Sequence, residues 1–198
     1  MRSWMWLGVF GVAGCDGGLQ SVEDSTSNID PEEPSSNIAE TFGLTESGNC
    51  ETAEVDGESY DVAGATSYYV GAFDISGDEV TGYEAWVLFA NDTWAEGEGY
   101  DCQILWTAEG EKTDSRACSS CEYGLNLTMT MDMVGSDCVE GLKNDTALDA
   151  STFETFYNVA VSDAGETTFY FASGNPLGTG EVDGSTVTYV SDAACKWF

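Results

Sequence analysis

From residue 50 onward the hydrophobic positions recur every second residue. Tyr123, Leu125, Leu127, Met129, Met131 and Met133 alternate with Glu122, Gly124, Asn126, Thr128, Thr130 and Asp132, which predicts a long antiparallel strand with one buried and one wet face. Phe153, Tyr157, Val159 and Val161 predict a second strand, and Ser162-Asp163-Ala164-Gly165 turns it into a third at Thr167, Phe169 and Phe171. Gly178 to Val182 and Thr186 to Val190 predict another hairpin, whose Asp183-Gly184 pair suits a type I′ turn because both central residues there need positive φ. Tyr68 to Phe73, Tyr83 to Ala90 and Cys102 to Thr107 complete the set, with Cys102, Ile104 and Trp106 on one face. About eight strands separated by turn signals, and no convincing run of helical spacing, predict an all-β fold: an antiparallel β-sandwich or an up-and-down β-barrel.

Upstream of residue 50 the pattern changes twice. Residues 1–14 hold Met1-Arg2 and an apolar run from Trp4 to Ala13. That run is too short for a permanent membrane helix, which needs roughly 20 residues, and has the shape of an export signal. Residues 15–48 are rich in Asp, Glu, Ser, Asn and Gly, with Pro31, Pro34 and isolated apolar residues such as Ile29, Ile38 and Leu44. This composition predicts a disordered, charge-extended tether, because little apolar surface is available to offset the entropy of ordering. A short structured element around Ile38 to Leu44 is the one departure the tether leaves room for. The folded domain is then expected over residues 49–198.

Val12-Ala13-Gly14-Cys15 resembles the lipobox of bacterial lipoproteins, in which small residues precede a cysteine that is diacylated and becomes the first residue after cleavage. The resemblance covers this segment alone. It implies a signal peptide over 1–14, lipidation at Cys15, and attachment by acyl chains to a membrane of the bacterial cell envelope. The outer membrane or cell surface is favoured over the inner membrane, although Asp16 resembles an inner-membrane retention signal used by some bacteria.

Export changes how the remaining cysteines are read. Cys50, Cys102, Cys118, Cys121, Cys138 and Cys195 are even in number, and an oxidising compartment favours structural disulfides. Joining Cys50 to Cys195 would close the two ends of the domain, with the other four stapling the central hairpins. Cys118-Ser119-Ser120-Cys121 also fits a redox pair or half a zinc site, but the strand starting at Glu122 denies it the helix N-terminus that stabilises a reactive thiolate.

The chain carries 36 acidic side chains against 5 basic ones, a formal charge of −31, and no histidine. That balance argues against nucleic acid as a partner, since counterion displacement needs clustered Lys and Arg. Imidazole-based catalysis, metal binding and pH switching are excluded outright. A transmembrane barrel is also disfavoured: stepping back by twos from Phe198 gives Lys196, Ala194, Asp192, Val190 and Thr188, which would put charges on the lipid face.

Positive evidence for chemistry is sparse. Among so many acids nothing marks Glu84, Glu154 or Asp101 as a hydrolase pair, so no catalytic residue is assigned. Asp56-Gly57-Glu58, Asp74 with Asp78-Glu79, and Asp183 fall in predicted loops and could supply oxygens to a structural Ca2+, without EF-hand spacing. Trp86, Trp94, Trp106, Tyr68, Tyr69, Tyr100 and Trp197 suit either a core between sheets or a ligand-lined cavity, with Trp94 the expected exposed one. These residues together suggest a lipid-anchored, extracytoplasmic binding or structural module whose partner is a protein or small molecule. The alternatives are a barrel that binds a small apolar ligand, or a carboxylate-dependent hydrolase.

Overall fold

The computed structural model describes residues 29–35, 37–45, 50, 52–55, 58–61, 64–90, 101–114, 118–134 and 152–197, with the backbone alone at 52–55, 58–61, 64, 90, 101–102, 133–134 and 196–197. The leader, Cys15, Trp94, Tyr100 and Cys138 lie outside these residues. One helical turn, α1 (Ile38–Thr41), precedes a small hairpin, β1 (Thr52–Val55) and β2 (Glu58–Asp61). The strands that follow are β3 (Gly64–Ser76), β4 (Glu79–Ala90), β5 (Asp101–Thr113), β6 (Tyr123–Val134), β7 (Thr152–Val161), β8 (Glu166–Phe171), β9 (Pro176–Asp183), β10 (Thr186–Ser191) and β11 (Ala194–Trp197).

Each strand from β3 to β10 pairs antiparallel with its sequence neighbour, and β10 pairs back onto β3. The result is a closed eight-stranded up-and-down barrel, which decides between the two expected architectures. Closure removes the open sheet edges that would otherwise template association. β11 adds to the other half of β3, pairing Ala194 with Ser67 and Trp197 with Gly64. In the β9–β10 hairpin Asp183 pairs with Thr186, so the two loop residues are Gly184 and Ser185. The turn therefore sits one residue later than the Asp183-Gly184 expectation, with Gly184 at φ 64° in the left-handed region.

Alternation sorts the side chains. Phe73, Val80, Trp86, Leu88, Ile104, Trp106, Leu125, Leu127, Met129, Val159, Phe169 and Val187 fill the interior, as an eight-stranded barrel requires. The outer wall is polar along β6 and the start of β7, where Asn126, Thr128, Thr130, Asp132 and Glu154 are exposed. The outer faces of β3, β4 and β5 are different. Tyr68, Val70, Ala72, Tyr83, Ala85, Val87 and Leu105 form a second apolar cluster, covered by Ile29, Ile38, Ala39 and Phe42 from the N-terminal segment.

This corrects the disordered tether across residues 29–45. Sparse as its apolar residues are, they match an outward apolar face that would otherwise meet water, and full burial contributes about 1.5 to 3 kcal/mol per large side chain. The segment is also tied by hydrogen bonds: Asn37 caps α1 by accepting from the Glu40 amide at 3.2 Å, the Ile38 amide donates to Gln103 Oε1 at 3.1 Å, and the Tyr68 hydroxyl donates to the Thr45 carbonyl at 2.8 Å. Folded structure thus begins by Ile29 rather than near residue 49. Cys50 is disulfide-bonded to Cys195 on β11, fastening this approach to the last strand.

Candidate functional site

The site is a carboxyl group inside the barrel. On β4 the inward positions are Val80, Gly82, Glu84, Trp86 and Leu88, so Glu84 sits at mid-barrel. It is 5 % exposed and the only buried acid among the described residues. The Tyr157 hydroxyl, reaching from β7, donates to Glu84 Oε2 at 2.5 Å, and the Tyr189 hydroxyl, from β10, donates to the same oxygen at 2.6 Å. Oε1 accepts no hydrogen bond from the described residues.

Strand register explains how these groups meet. Tyr189 pairs with Gly71, Gly71 pairs with Glu84, and Glu84 pairs with Trp106, one row across β10, β3, β4 and β5. Tyr189 must cross over β3 to reach Glu84, and it can because position 71 has no side chain. A Cβ there would lie 2.4 Å from Tyr189 Cε1. Gly71 is thus the gap through which the phenol is laid, a close-approach role that only glycine fills.

Burial dominates the electrostatics. It raises the Glu84 pKa from its ordinary 4.5, while the hydrogen bonds from Tyr157 and Tyr189 pull it back. The same burial, followed by the Glu84 charge, raises the pKa of Tyr157 and Tyr189 and pushes Tyr69 up to about 12. Among the described residues no cation faces the carboxyl; Lys112 lies at the far end of the barrel, its Nζ 4.4 Å from the centre of the Tyr123 ring. The Trp106 indole N–H is buried in the interior without a hydrogen-bond partner among the described residues, a costly arrangement unless something accepts from it.

One row beyond Glu84, toward the end where β4, β6 and β8 finish, Tyr69 stacks on Trp86 with ring centres 6.0 Å apart. Tyr69 and, on β8, Phe171 face inward, yet they are 40 % and 43 % exposed. Tyr157 links them to the carboxyl, its ring centre 6.5 Å from that of Phe171. This end, the mouth of the barrel on the Glu84 side, is therefore ringed by partly exposed aromatic side chains. The opposite end holds a shallow cavity of about 260 Å³ lined by Ile75, Lys112, Tyr123, Val182 and Val187. Phe73, stacked on Phe169 and Tyr189, lies between that cavity and Glu84.

The other sequence candidates do not converge on this site. Glu154 is exposed on the outer wall and Asp101 begins β5 with its side chain undescribed; among the described residues no second buried acid stands with Glu84 to form a hydrolase pair. Asp74 accepts a hydrogen bond from the Ser185 hydroxyl, Asp78 sits in the β3–β4 turn with Glu79 opening β4, and Asp183 is exposed; Asp56 lies outside the described residues and the Glu58 side chain is undescribed. Among the described residues no three metal-ligating side chains cluster, so the Ca2+ expectation finds no site there. Cys118 and Cys121 are disulfide-bonded to each other between β5 and β6, with no helix following. Cys102 lies on β5 with its side chain undescribed. Of the aromatic candidates, Trp86 and Trp106 are inside, Tyr68 lies beneath the N-terminal segment, and Tyr69 is at the mouth.

Glu84 was one acid among many in the sequence. The signal that singles it out is its place in the even-numbered set with Val80, Trp86 and Leu88, obscured because Tyr83, Ala85, Val87 and Phe89 make β4 apolar on both faces. No family model matches the chain, and no curated protein or solved structure is similar to it.

Proposed function

We propose that this chain is a small-molecule binding module of the bacterial cell envelope, lipid-anchored through Cys15, whose ligand enters the barrel at the Tyr69–Phe171 mouth. One observation carries the reading: two large aromatic side chains point into the barrel but remain open to solvent, directly above a buried carboxyl. Inward aromatic rings left in water offer apolar surface to a guest, and a few convergent polar groups below would orient it. The polar outer wall of β6 and the start of β7 favours a barrel that stands in water over one that spans a bilayer, where charges on the lipid face cost a few kcal/mol near the midplane.

Titration of the full chain with N-phenyl-1-naphthylamine, whose emission rises in apolar surroundings, tests the reading. It predicts saturable one-site binding, weakened about three- to tenfold by Tyr69→Ala and by Phe171→Ala. Unsaturable binding, or binding indifferent to both substitutions, refutes it and leaves a filled, structural barrel. Intact mass of protein from the source cell tests the anchor: cleavage before Cys15 with acylation of that residue is expected, and an uncleaved, unacylated leader overturns it.

A further inference from the structure

The chemistry around Glu84 says what kind of guest the barrel holds. We infer that the ligand is a small organic cation, an ammonium group carried on an aromatic or apolar body, whose charge seats between Glu84 Oε1 and the rings of Tyr69, Trp86 and Tyr157. The inference rests on the lumen-binding reading and sharpens it.

Three observations favour a cation over an anion or a neutral guest. First, Glu84 is a buried acid with no counter-ion among the described residues. Two phenols fix its Oε2, Oε1 accepts nothing from the described residues, and the cation Lys112 is at the opposite end beyond Phe73. A buried carboxylate without a counter-ion is costly even when phenols donate to it, so a charge-complementary guest gains what no described side chain supplies. Second, the walls are aromatic faces. The Tyr69–Trp86 stack stands one row above Glu84 and the Tyr157 ring descends to it from across the lumen; such rings attract ammonium groups through their negative faces. Third, a net charge of −31 repels anions and draws cations toward the molecule before any contact forms. An anion would meet a carboxyl and phenol oxygens and find no basic side chain facing it among the described residues.

The groups facing Glu84 are few, which makes the test clean. From β3 comes Tyr69, from β5 Trp106, from β7 Tyr157 and from β10 Tyr189, and of these only the tyrosines titrate, all at alkaline pH. The other carboxylates of the chain also lose charge on acidification, so Glu84 is read from the difference between the parent and Glu84→Gln. The ammonium of the probe stays charged throughout.

The probes are 2-phenylethylammonium, neutral 2-phenylethanol and anionic phenylacetate, titrated by calorimetry into the full chain at about pH 8. The expected order is cation over alcohol by about tenfold, with phenylacetate weakest. Glu84→Gln, which keeps an oxygen for the two tyrosines, is expected to abolish the preference for the cation while alcohol binding persists. Wild-type affinity for the cation is expected to fall about tenfold or more as Glu84 takes up its proton, beyond any fall that Glu84→Gln shows over the same range. Equal or tighter binding of the alcohol overturns the cation assignment and leaves the lumen reading standing. A cation preference that survives Glu84→Gln, or that falls equally with pH in parent and variant, assigns it to the overall charge and overturns the site. If none of the three binds while the naphthylamine probe does, the assignment fails alone; if that probe fails too, the lumen reading has failed with it.

Discussion

Phe42→Ala tests whether the N-terminal segment is part of the folded unit. Phe42 is 2 % exposed, and its ring meets the Tyr83 ring edge-on with centres 6.4 Å apart. Truncating a buried phenylalanine costs about 3 to 5 kcal/mol, combining lost transfer energy with the cavity left behind, and the aromatic pair accounts for about 0.5 to 1.5 of that. The segment lies on the outside of the barrel, so it can partly collapse onto the vacancy, and the lower end, about 3 kcal/mol, is the expected value. For a domain of this size that is a fall in Tm of roughly 6 to 12 °C. Denaturant unfolding followed by tryptophan fluorescence should show a lower midpoint with an unchanged slope, because the amount of surface exposed on unfolding scarcely changes. Glu33→Ala, at an exposed position of the same segment, should stay within about 0.5 kcal/mol of the parent and serves as the control. A loss below about 1 kcal/mol for Phe42→Ala would mean that the segment is not fastened to the barrel, and the argument from the outward apolar face of β3–β5 would be wrong.

Three further outcomes follow from the interior and the disulfide. Gly71→Ala forces its Cβ to within 2.4 Å of Tyr189 Cε1, so the phenol must retreat from Glu84; thermal unfolding should show a loss of about 1 to 3 kcal/mol, and an unchanged melting curve would deny the crossing. Replacing Cys50 and Cys195 by serine frees the join between the N-terminal approach and β11, with a loss of about 2 to 4 kcal/mol expected in denaturant unfolding. Glu84 has a folded-state pKa above its ordinary 4.5, so its contribution to stability is complete below that value and is lost as pH rises through the raised pKa. Since general acidic repulsion also grows with pH, the measurement is the difference between parent and Glu84→Gln across that range: the variant's curve should be flatter, and parallel curves would refute the shift.

Most of the barrel was legible because its strands alternate cleanly. The run from Tyr123 to Met133 is apolar on odd positions and polar on even ones, and β6 shows the same division between lumen and water wherever its side chains are described. Barrel and sandwich were not separable, since the choice depends on β10 pairing with β3, a contact between residues more than a hundred positions apart that no local pattern encodes. The docked N-terminal segment was hidden for a related reason. Ile29, Ile38, Ala39 and Phe42 look too sparse to fold when read alone, and become sufficient only against a wall already built by Tyr83, Ala85 and Val87. That wall did leave a trace, because Tyr83 to Ala90 is apolar on both faces, and a strand buried on both sides needs a second layer.

The same double-sided run concealed the site, and the two facts have one cause. β4 must present Tyr83, Ala85 and Val87 outward to hold the N-terminal segment and Val80, Trp86 and Leu88 inward to fill the barrel, which leaves no polar face on which an acid could rest in water. A carboxyl placed in such a strand is therefore buried whichever way the register falls. It persists only if other strands bring hydrogen-bond donors to it, and the structure brings two, from β7 and from β10 across Gly71. Three separate positions, Tyr157, Tyr189 and Gly71, are thus committed to accommodating one acid that apolar packing alone would exclude, and isosteric replacement of buried charge by apolar groups is often neutral or stabilising. An arrangement that uses core positions this way, with Oε1 accepting no hydrogen bond from the described residues, is what the proposed guest at Glu84 would require, whereas the packing of the barrel alone does not call for it.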